Sequence, residues 1–109
     1  MNSHLLIETR GPWGGGRECA SFVRDAAALA GGGHPTRLFL LQEGVLGALP
    51  GVLPELTDFL ETGGQLLVDR YSYRQRGLKD QQLVEGGRLV DMDEIAGNVL
   101  DATVKVVWH

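Results

Sequence analysis

Short apolar runs alternate with longer amphipathic stretches from one end of the chain to the other. Most of these runs are apolar at consecutive positions, which is typical of strands buried on both faces of a parallel sheet. The runs predict five β-strands, at residues 4–8, 37–41, 65–68, 88–90 and 104–108.

The stretches between the runs have the spacing of helices that bury one face. The last of them has the clearest start signal, because Asp91 as N-cap and Glu94 three residues later form a capping box. Val90 and Ile95 can close a hydrophobic staple around this cap. The predicted helices cover residues 17–30, 51–62 and 79–84, and a final segment that begins after the Asp91 cap.

The alternation of strands and helices indicates an α/β fold. We expect about five strands in a mostly parallel sheet with helices on both faces, which is a three-layer sandwich of the flavodoxin-like or Rossmann-like kind. The chain has 109 residues, and no repeat or linker divides it. Residues 1–109 are therefore expected to form a single domain.

The net charge of the chain indicates which classes of partner it is expected to bind. The chain has 14 acidic and 10 basic residues, and its formal net charge is −4. No basic run or stripe is present, so nucleic-acid binding is not expected. The apolar runs are too short to cross a bilayer, and the start of the chain does not resemble a signal peptide. We therefore expect a cytoplasmic protein without a membrane partner.

The metal-binding and redox residues are sparse. Cys19 is the one cysteine of the chain, which excludes an internal disulfide, a Cys-x-x-Cys pair and a cysteine-based zinc site within one subunit. His4, His34 and His109 are scattered singly, without the spacing of a metal site. We expect neither a bound metal nor a cofactor.

The segment at residues 66–78 is the most informative part of the chain, because a buried strand there ends abruptly in polar residues. In open α/β sheets, ligands lie outside the carboxyl ends of the strands. Seven side chains are candidates for binding a small anion or polar ligand at this rim: Arg10, Trp13, Glu43, Asp69, Tyr71, Ser72 and Arg74. The competing interpretation, which we favour, is a salt-bridged structural loop that docks against another subunit.

Two residues are candidate nucleophiles. Cys19 lies in the first turn of the first predicted helix, where the helix N-terminus lowers the pKa of a thiol. It also shares a helix face with Phe22 and Val23, so the interpretation that we favour is an inert, buried side chain. Ser72 would need a nearby base, and no histidine is close to it in sequence. We therefore lean towards a protein that is not an enzyme.

A glycine-rich segment at residues 11–16 joins the first strand to the first helix. Glycines at this position can expose backbone N–H groups to a phosphate. The spacing matches neither the dinucleotide-binding pattern nor a P-loop. We favour a turn in which Trp13 packs on the surface or at a subunit interface.

The residues after the third strand resemble the DsrE/DsrF-like family of small sulfur-relay proteins. One branch of that family has Cys-x-x-Cys followed by an Arg-Gly-Leu or Arg-Gly-Ile turn. Arg76-Gly77-Leu78 matches the turn, and the two cysteine positions fall on Asp69 and Ser72. Further similarity lies in residues 10–13, 33–40 and 39–45, so the resemblance covers nearly the whole chain.

The resemblance implies the same α/β sandwich and a small cytoplasmic subunit with a role in sulfur metabolism. Because a hydroxyl cannot hold sulfane sulfur, it implies a non-catalytic or degenerate member of the relay. Such a subunit would form a homo-oligomer (dimer, trimer or hexamer) or pair with a relative that carries the cysteine. Two alternatives stay open, which are a small-ligand or anion-binding module at the rim and, less favoured, an enzyme that uses Ser72 or Cys19.

Overall fold

Five parallel strands form a single sheet in the computed structural model, which describes residues 3–13 and 17–109. They are β1 (Ser3–Glu8), β2 (Thr36–Leu40), β3 (Gln65–Asp69), β4 (Gly87–Val90) and β5 (Val104–Trp108). Their order across the sheet is β4-β3-β2-β1-β5, and all four neighbouring pairs are parallel. The structure therefore confirms the predicted α/β class and the parallel sheet.

Helices cover both faces of the sheet, but unequally. The helices are α1 (Glu18–Gly31), α2 (Glu55–Glu61), α3 (Arg70–Gln75) and α4 (Met92–Val99), and two short 3₁₀ segments lie at Gln42–Ala48 and Asp80–Gln82. One face packs its strand residues against α1, α2 and Tyr73 of α3, whereas the other packs its strand residues mainly against Ile95 of α4. The second face is thus covered by one helix of 8 residues.

Consecutive strand residues enter opposite cores because side chains alternate along a strand. Leu6 and Leu38 belong to the larger core, under α1 and α2, while Leu5 and Phe39 belong to the smaller core, under α4. This two-sided burial explains why the central strands are apolar at consecutive positions. β5 lies at the edge of the sheet, and none of its residues is fully buried.

The segment after β3 differs from the predicted loop, because it forms helix α3. Asp69 is its N-cap, and the carboxylate oxygen Oδ2 accepts a hydrogen bond from the backbone N–H of Ser72 at 3.0 Å. Aspartate is a preferred N-cap because its carboxylate satisfies an N–H group that has no partner in the helix. The polar composition that suggested a loop is therefore that of a short, capped helix.

Other predicted elements are also corrected. The helix expected at residues 79–84 is only the 3₁₀ turn Asp80–Gln82, and the helix expected at residues 51–62 begins at Glu55. The 3₁₀ turn is short because the chain must enter β4 at Gly87. Helix α2 begins four residues later than predicted because Pro54 is its N-cap.

The capping box predicted for α4 is not formed. The side chain of Asp91 makes no capping hydrogen bond and instead accepts one from Arg70 at 2.5 Å. Glu94 pairs with Arg88 at 2.8 Å rather than reaching back to the cap. Strands β3 and β4 are neighbours, so Arg70 after β3 meets Asp91 after β4, whereas Arg88 and Glu94 pair locally between β4 and α4. Val90 and Ile95 are both buried in the smaller core.

Among residues 3–13 and 17–109, no helix has both the length and the apolar character that a membrane crossing requires.

The 3₁₀ segment Gln42–Ala48 lies directly against the end of β1. The backbone carbonyl of Glu8 accepts a hydrogen bond from the N–H of Leu41 at 3.0 Å. A Cβ atom on Gly44 would lie 2.2 Å from this same carbonyl oxygen. A glycine at position 44 therefore allows the two backbones to approach.

We expect Gly44→Ala to lower the free energy of unfolding by about 2–3 kcal/mol, because the added methyl group forces two backbone segments apart. Gly97→Ala is the matched control, since position 97 is an exposed site in α4 with nothing within 4 Å of the added Cβ. There the same change is expected to stabilise by about 0.5–1 kcal/mol through helix propensity. Urea unfolding measures both, and equal effects at the two positions would contradict the close approach.

Candidate functional site

The carboxyl ends of the parallel strands meet at one edge of the sheet, where the sequence predicted a ligand site. Glu8 ends β1, Asp69 ends β3, and His109 follows β5. Two clusters of polar side chains form there. One surrounds Asp69 and was predicted, whereas the other surrounds Glu8 and was not.

Asp69 and Ser72 form a closed hydrogen-bonded unit. The hydroxyl of Ser72 donates to Oδ2 of Asp69 at 2.6 Å and accepts from the backbone N–H of Gln42 at 3.0 Å. Both side chains are buried, and Gln42 has a positive φ of 55°. The unit joins the start of α3 to the turn after β2, so its bonds have a structural role.

The predicted arginines of the rim are held in ion pairs. Arg10 pairs with Glu18 at 2.6 Å, and Arg74 pairs with Asp80 at 2.7 Å. The hydrogen bond and the charge of Arg74 lower the pKa of the Asp80 carboxyl below its ordinary value. Glu43 pairs with a residue outside the predicted set, Arg76, at 2.7 Å. These contacts agree with the salt-bridged loop that the sequence favoured.

Different members of the predicted rim set line different clefts. Arg10 lines a cleft beside α1, whereas Tyr71 and Arg74 line a separate depression on α3. The side chains of Tyr71 and Trp13 are largely exposed. Whether any of these residues binds a ligand stays a prediction.

Glu8 is the centre of the second cluster. Its carboxylate is fully buried, with one oxygen accepting from the backbone N–H of Arg10 at 2.8 Å. The other oxygen lies 2.5 Å from Nδ1 of His109. A buried carboxylate costs several kcal/mol unless it is paired and hydrogen-bonded. The Glu8–His109 pair meets both conditions.

Cys19 lies beside this pair and is buried. Burial, followed by the negative charges of Glu8 and Glu55, raises the pKa of the thiol to about 12, and the thiol donates weakly to the backbone carbonyl of Arg10 at 3.9 Å. The shift is opposite to the lowering that a helix N-terminus produces. The thiolate is the reactive form of cysteine, so this environment supports the inert side chain that the sequence favoured.

Glu8 and His109 were not among the site residues predicted from the sequence. One signal for Glu8 was available, because it is the acidic residue that ends an otherwise apolar strand at the ligand-binding edge. His109 carried no such signal, since its partner is 101 positions away in sequence. Their contact depends on β5 lying next to β1.

Two further predictions concern phosphate binding and metal binding. Part of the glycine-rich segment, residues 14–16, lies outside the described residues, so its phosphate role is untested. Within residues 3–13 and 17–109, no group of at least three His, Cys, Asp or Glu side chains has the geometry to hold a metal ion.

The fold is that of small α/β proteins of the YchN type. The crystal structure of YchN from E. coli matches with a TM-score of 0.88 and 20% sequence identity, covering 100% of both chains. MTH1491 from Methanobacterium thermoautotrophicum, a protein of unknown function, matches with a TM-score of 0.76 and 10% identity over 99% of this chain and 100% of its own. At these identities the likeness shows the fold alone. No protein-family model matches the chain, and no curated protein is a significant match.

We expect Cys19 to be alkylated by iodoacetamide at pH 8 at least about 100-fold more slowly in the folded protein than in urea. A pKa of about 12 leaves a thiolate fraction of only about 10⁻⁴ at pH 8, so the rate should rise with pH through this range. Glu8→Gln removes the negative charge that raises this pKa in addition to burial, and should accelerate alkylation by about tenfold.

Glu55→Gln is the control for this prediction, because the charge of Glu55 is the smallest of the causes of the shift. It should accelerate alkylation less than Glu8→Gln does. Mass spectrometry of timed samples gives the rates, and circular dichroism checks that each variant is folded. Equal rates in folded and unfolded wild-type protein would show that Cys19 is a free, reactive thiol.

Proposed function

We propose that this protein is a DsrE/DsrF-like subunit associated with intracellular sulfur relay, and that it does not itself carry the sulfur. The YchN-like fold supports the proposal, as do the Arg76-Gly77-Leu78 turn and its place immediately after α3. The resemblance assigns the sulfur-carrying positions to the strand-end segment of β3. The chemistry of that segment therefore decides which kind of subunit this is.

The observation that carries the proposal is the burial of Asp69 and Ser72 and the hydrogen bond between their side chains. By the resemblance, the two cysteine positions fall on these residues. Their side chains are buried and bonded to each other at 2.6 Å. Neither a carboxylate nor a hydroxyl can carry sulfane sulfur. The remaining thiol, Cys19, is buried with a pKa of about 12, which disfavours the thiolate that attack on a persulfide needs.

A subunit without the carrier residue would act through assembly, and the smaller core offers a surface for it. Eight apolar residues line a groove of about 330 Å³ over this core, which we name the α4 groove. Four of them are large and exposed: Met92, Val99, Leu100 and Trp108. Leu100 is 86% exposed and Trp108 is 57% exposed. Monomeric proteins rarely leave such groups clustered on the surface.

A second copy of this chain is the partner that fits the α4 groove. A twofold interface places the same patch on both subunits, so a patch without charges meets its copy without like-charge repulsion. The side chains lining the groove are all uncharged. We therefore propose a homo-oligomer in which this face is covered, while pairing with a cysteine-bearing relative is the alternative outcome.

The first prediction concerns sulfur transfer. After anaerobic incubation with a persulfide donor, the intact mass of the wild-type protein should show no added sulfur. The control is the double variant Cys19→Ser, Ser21→Cys, which moves the single thiol to an exposed position two residues further along α1. That variant should gain sulfur, because an exposed thiol has an ordinary pKa and is accessible.

A gain of one sulfur atom in the wild type that disappears in Cys19→Ser would overturn the proposal, since Cys19 would then be a sulfur carrier. No gain in the wild type together with a gain in the control variant would support a non-carrying subunit.

The second prediction concerns assembly. Sedimentation analysis should find the wild type as an oligomer, and Leu100→Lys should shift it towards the monomer because a charge cannot be buried unpaired at an apolar interface. Gln81→Lys adds the same charge at an exposed position away from the α4 groove and should leave the oligomer intact. A monomeric wild type at every concentration, or equal effects of the two variants, would contradict assembly through this face.

A further inference from the structure

The imidazole ring of His109 is held in one orientation by contacts on several sides. The backbone N–H of His109 donates to the carbonyl of Ile7 at 2.8 Å, and its own carbonyl accepts from the N–H and hydroxyl of Thr9 at 3.1 and 2.8 Å. The ring stacks on Phe22 with a centroid distance of 4.9 Å. Nδ1 lies 2.5 Å from the buried carboxylate of Glu8. The ring is therefore preorganised.

The bond to Glu8 does more than hold the end of β5 in place. The parallel ladder between β1 and β5 and the backbone bonds of His109 already fix that end. Burying a carboxylate carries a large desolvation cost, so a further structural contact at this strand end does not by itself explain it. What the carboxylate adds is chemical, because an acceptor at Nδ1 keeps the proton there and leaves Nε2 for another partner.

Nε2 of His109 has no protein partner among residues 3–13 and 17–109, and the ring borders an open cleft. The hydrogen bond of the ring to Glu8 is made through Nδ1. The cleft has a volume of about 480 Å³, and α1 forms one wall of it. Because the side chain of His109 is 23% exposed, a small molecule in the cleft can reach the ring.

The charges along this wall define what the cleft can hold. Arg10 and Glu18 neutralise each other at 2.6 Å. Arg17 lines the cleft and makes no ion pair within the part of the chain that the structure describes. Asp25 lies at the other end, about 12 Å further along the helix axis at 1.5 Å per residue. One end of the cleft is thus positive and the other negative, with His109 between them.

We propose that this cleft binds a small oxyanion, either a carboxylate or a phosphate. With a proton on both ring nitrogens of His109, Nδ1–H donates to Glu8 and Nε2–H donates to one oxygen of the ligand, while the guanidinium of Arg17 neutralises the charge. Glu8 is a positioning residue that orients the imidazole through its bond to Nδ1. Of the rim residues predicted from sequence, only Arg10 lines this cleft. The site is independent of the sulfur-relay proposal, and either one can fail without the other.

The test is an NMR titration of the imidazole nitrogens at constant ionic strength, with inorganic phosphate in one arm and acetate in the other. We expect a saturable shift of Nε2 of His109 with a dissociation constant on the order of 1 mM. The arm with the stronger response identifies the class of oxyanion. The absence of a saturable shift in both arms would overturn the proposal.

Four variants make the test specific. Because His109→Gln has no imidazole, binding to the variants is followed through the backbone amide signals of Ser21 and Phe22. Arg17→Gln and His109→Gln should weaken binding at least about tenfold, which is the effect of losing one charged or charge-assisted contact. Asp25→Asn should strengthen it, because a repulsive charge is removed.

The control is Arg88→Gln, which removes the same charge at β4, the edge strand opposite β5. Arg88 pairs with Glu94 and does not line the cleft. Binding should be unchanged in this variant. If Arg17→Gln and Arg88→Gln weakened binding equally, the effect would be that of net charge alone and the assigned site would be wrong.

Discussion

The structure depends on one buried carboxylate, which lies at the end of β1 between the neighbouring strands β2 and β5. Glu8 has no solvent exposure, and its two carboxylate oxygens bind the backbone N–H of Arg10 and the ring of His109. Its backbone carbonyl also accepts from Leu41, close to Gly44. One residue therefore joins the ends of β1, β2 and β5. The cost of burying its charge is offset only while all of these partners stay in place.

The carboxylate of Glu8 has different effects on its two neighbours, Cys19 and His109. It contributes to the high pKa of the Cys19 thiol, after burial itself, and so keeps sulfur in its unreactive form. For His109 the effect is different, because holding Nδ1 leaves the second ring nitrogen available to the cleft. At this edge of the sheet the thiol is buried, whereas the imidazole borders the cleft.

The unequal cover of the sheet has a separate consequence. Strand order places α1, α2 and α3 on one face and leaves α4 to cover the other. A helix of 8 residues is too short to cover the apolar side chains of several strands. Leu100 and Trp108 therefore stay exposed although the strands beneath them are buried. A small domain gains buried apolar area most directly by assembly.

The local pattern of the sequence determined the α/β class, the parallel sheet, the limits of β5 at residues 104–108 and the start of α1 within one residue, because side-chain periodicity records which faces are buried. The sequence also contains the N-cap residue of α3, Asp69, although the polar residues that follow it suggested a loop. Only the tertiary structure decided that Asp91 binds Arg70 instead of capping α4, and that His109 meets Glu8 across 101 positions. The physical reason is that periodicity is a property of each segment alone. The order of strands in the sheet, which brings distant charges together, is set by how all the segments pack at once.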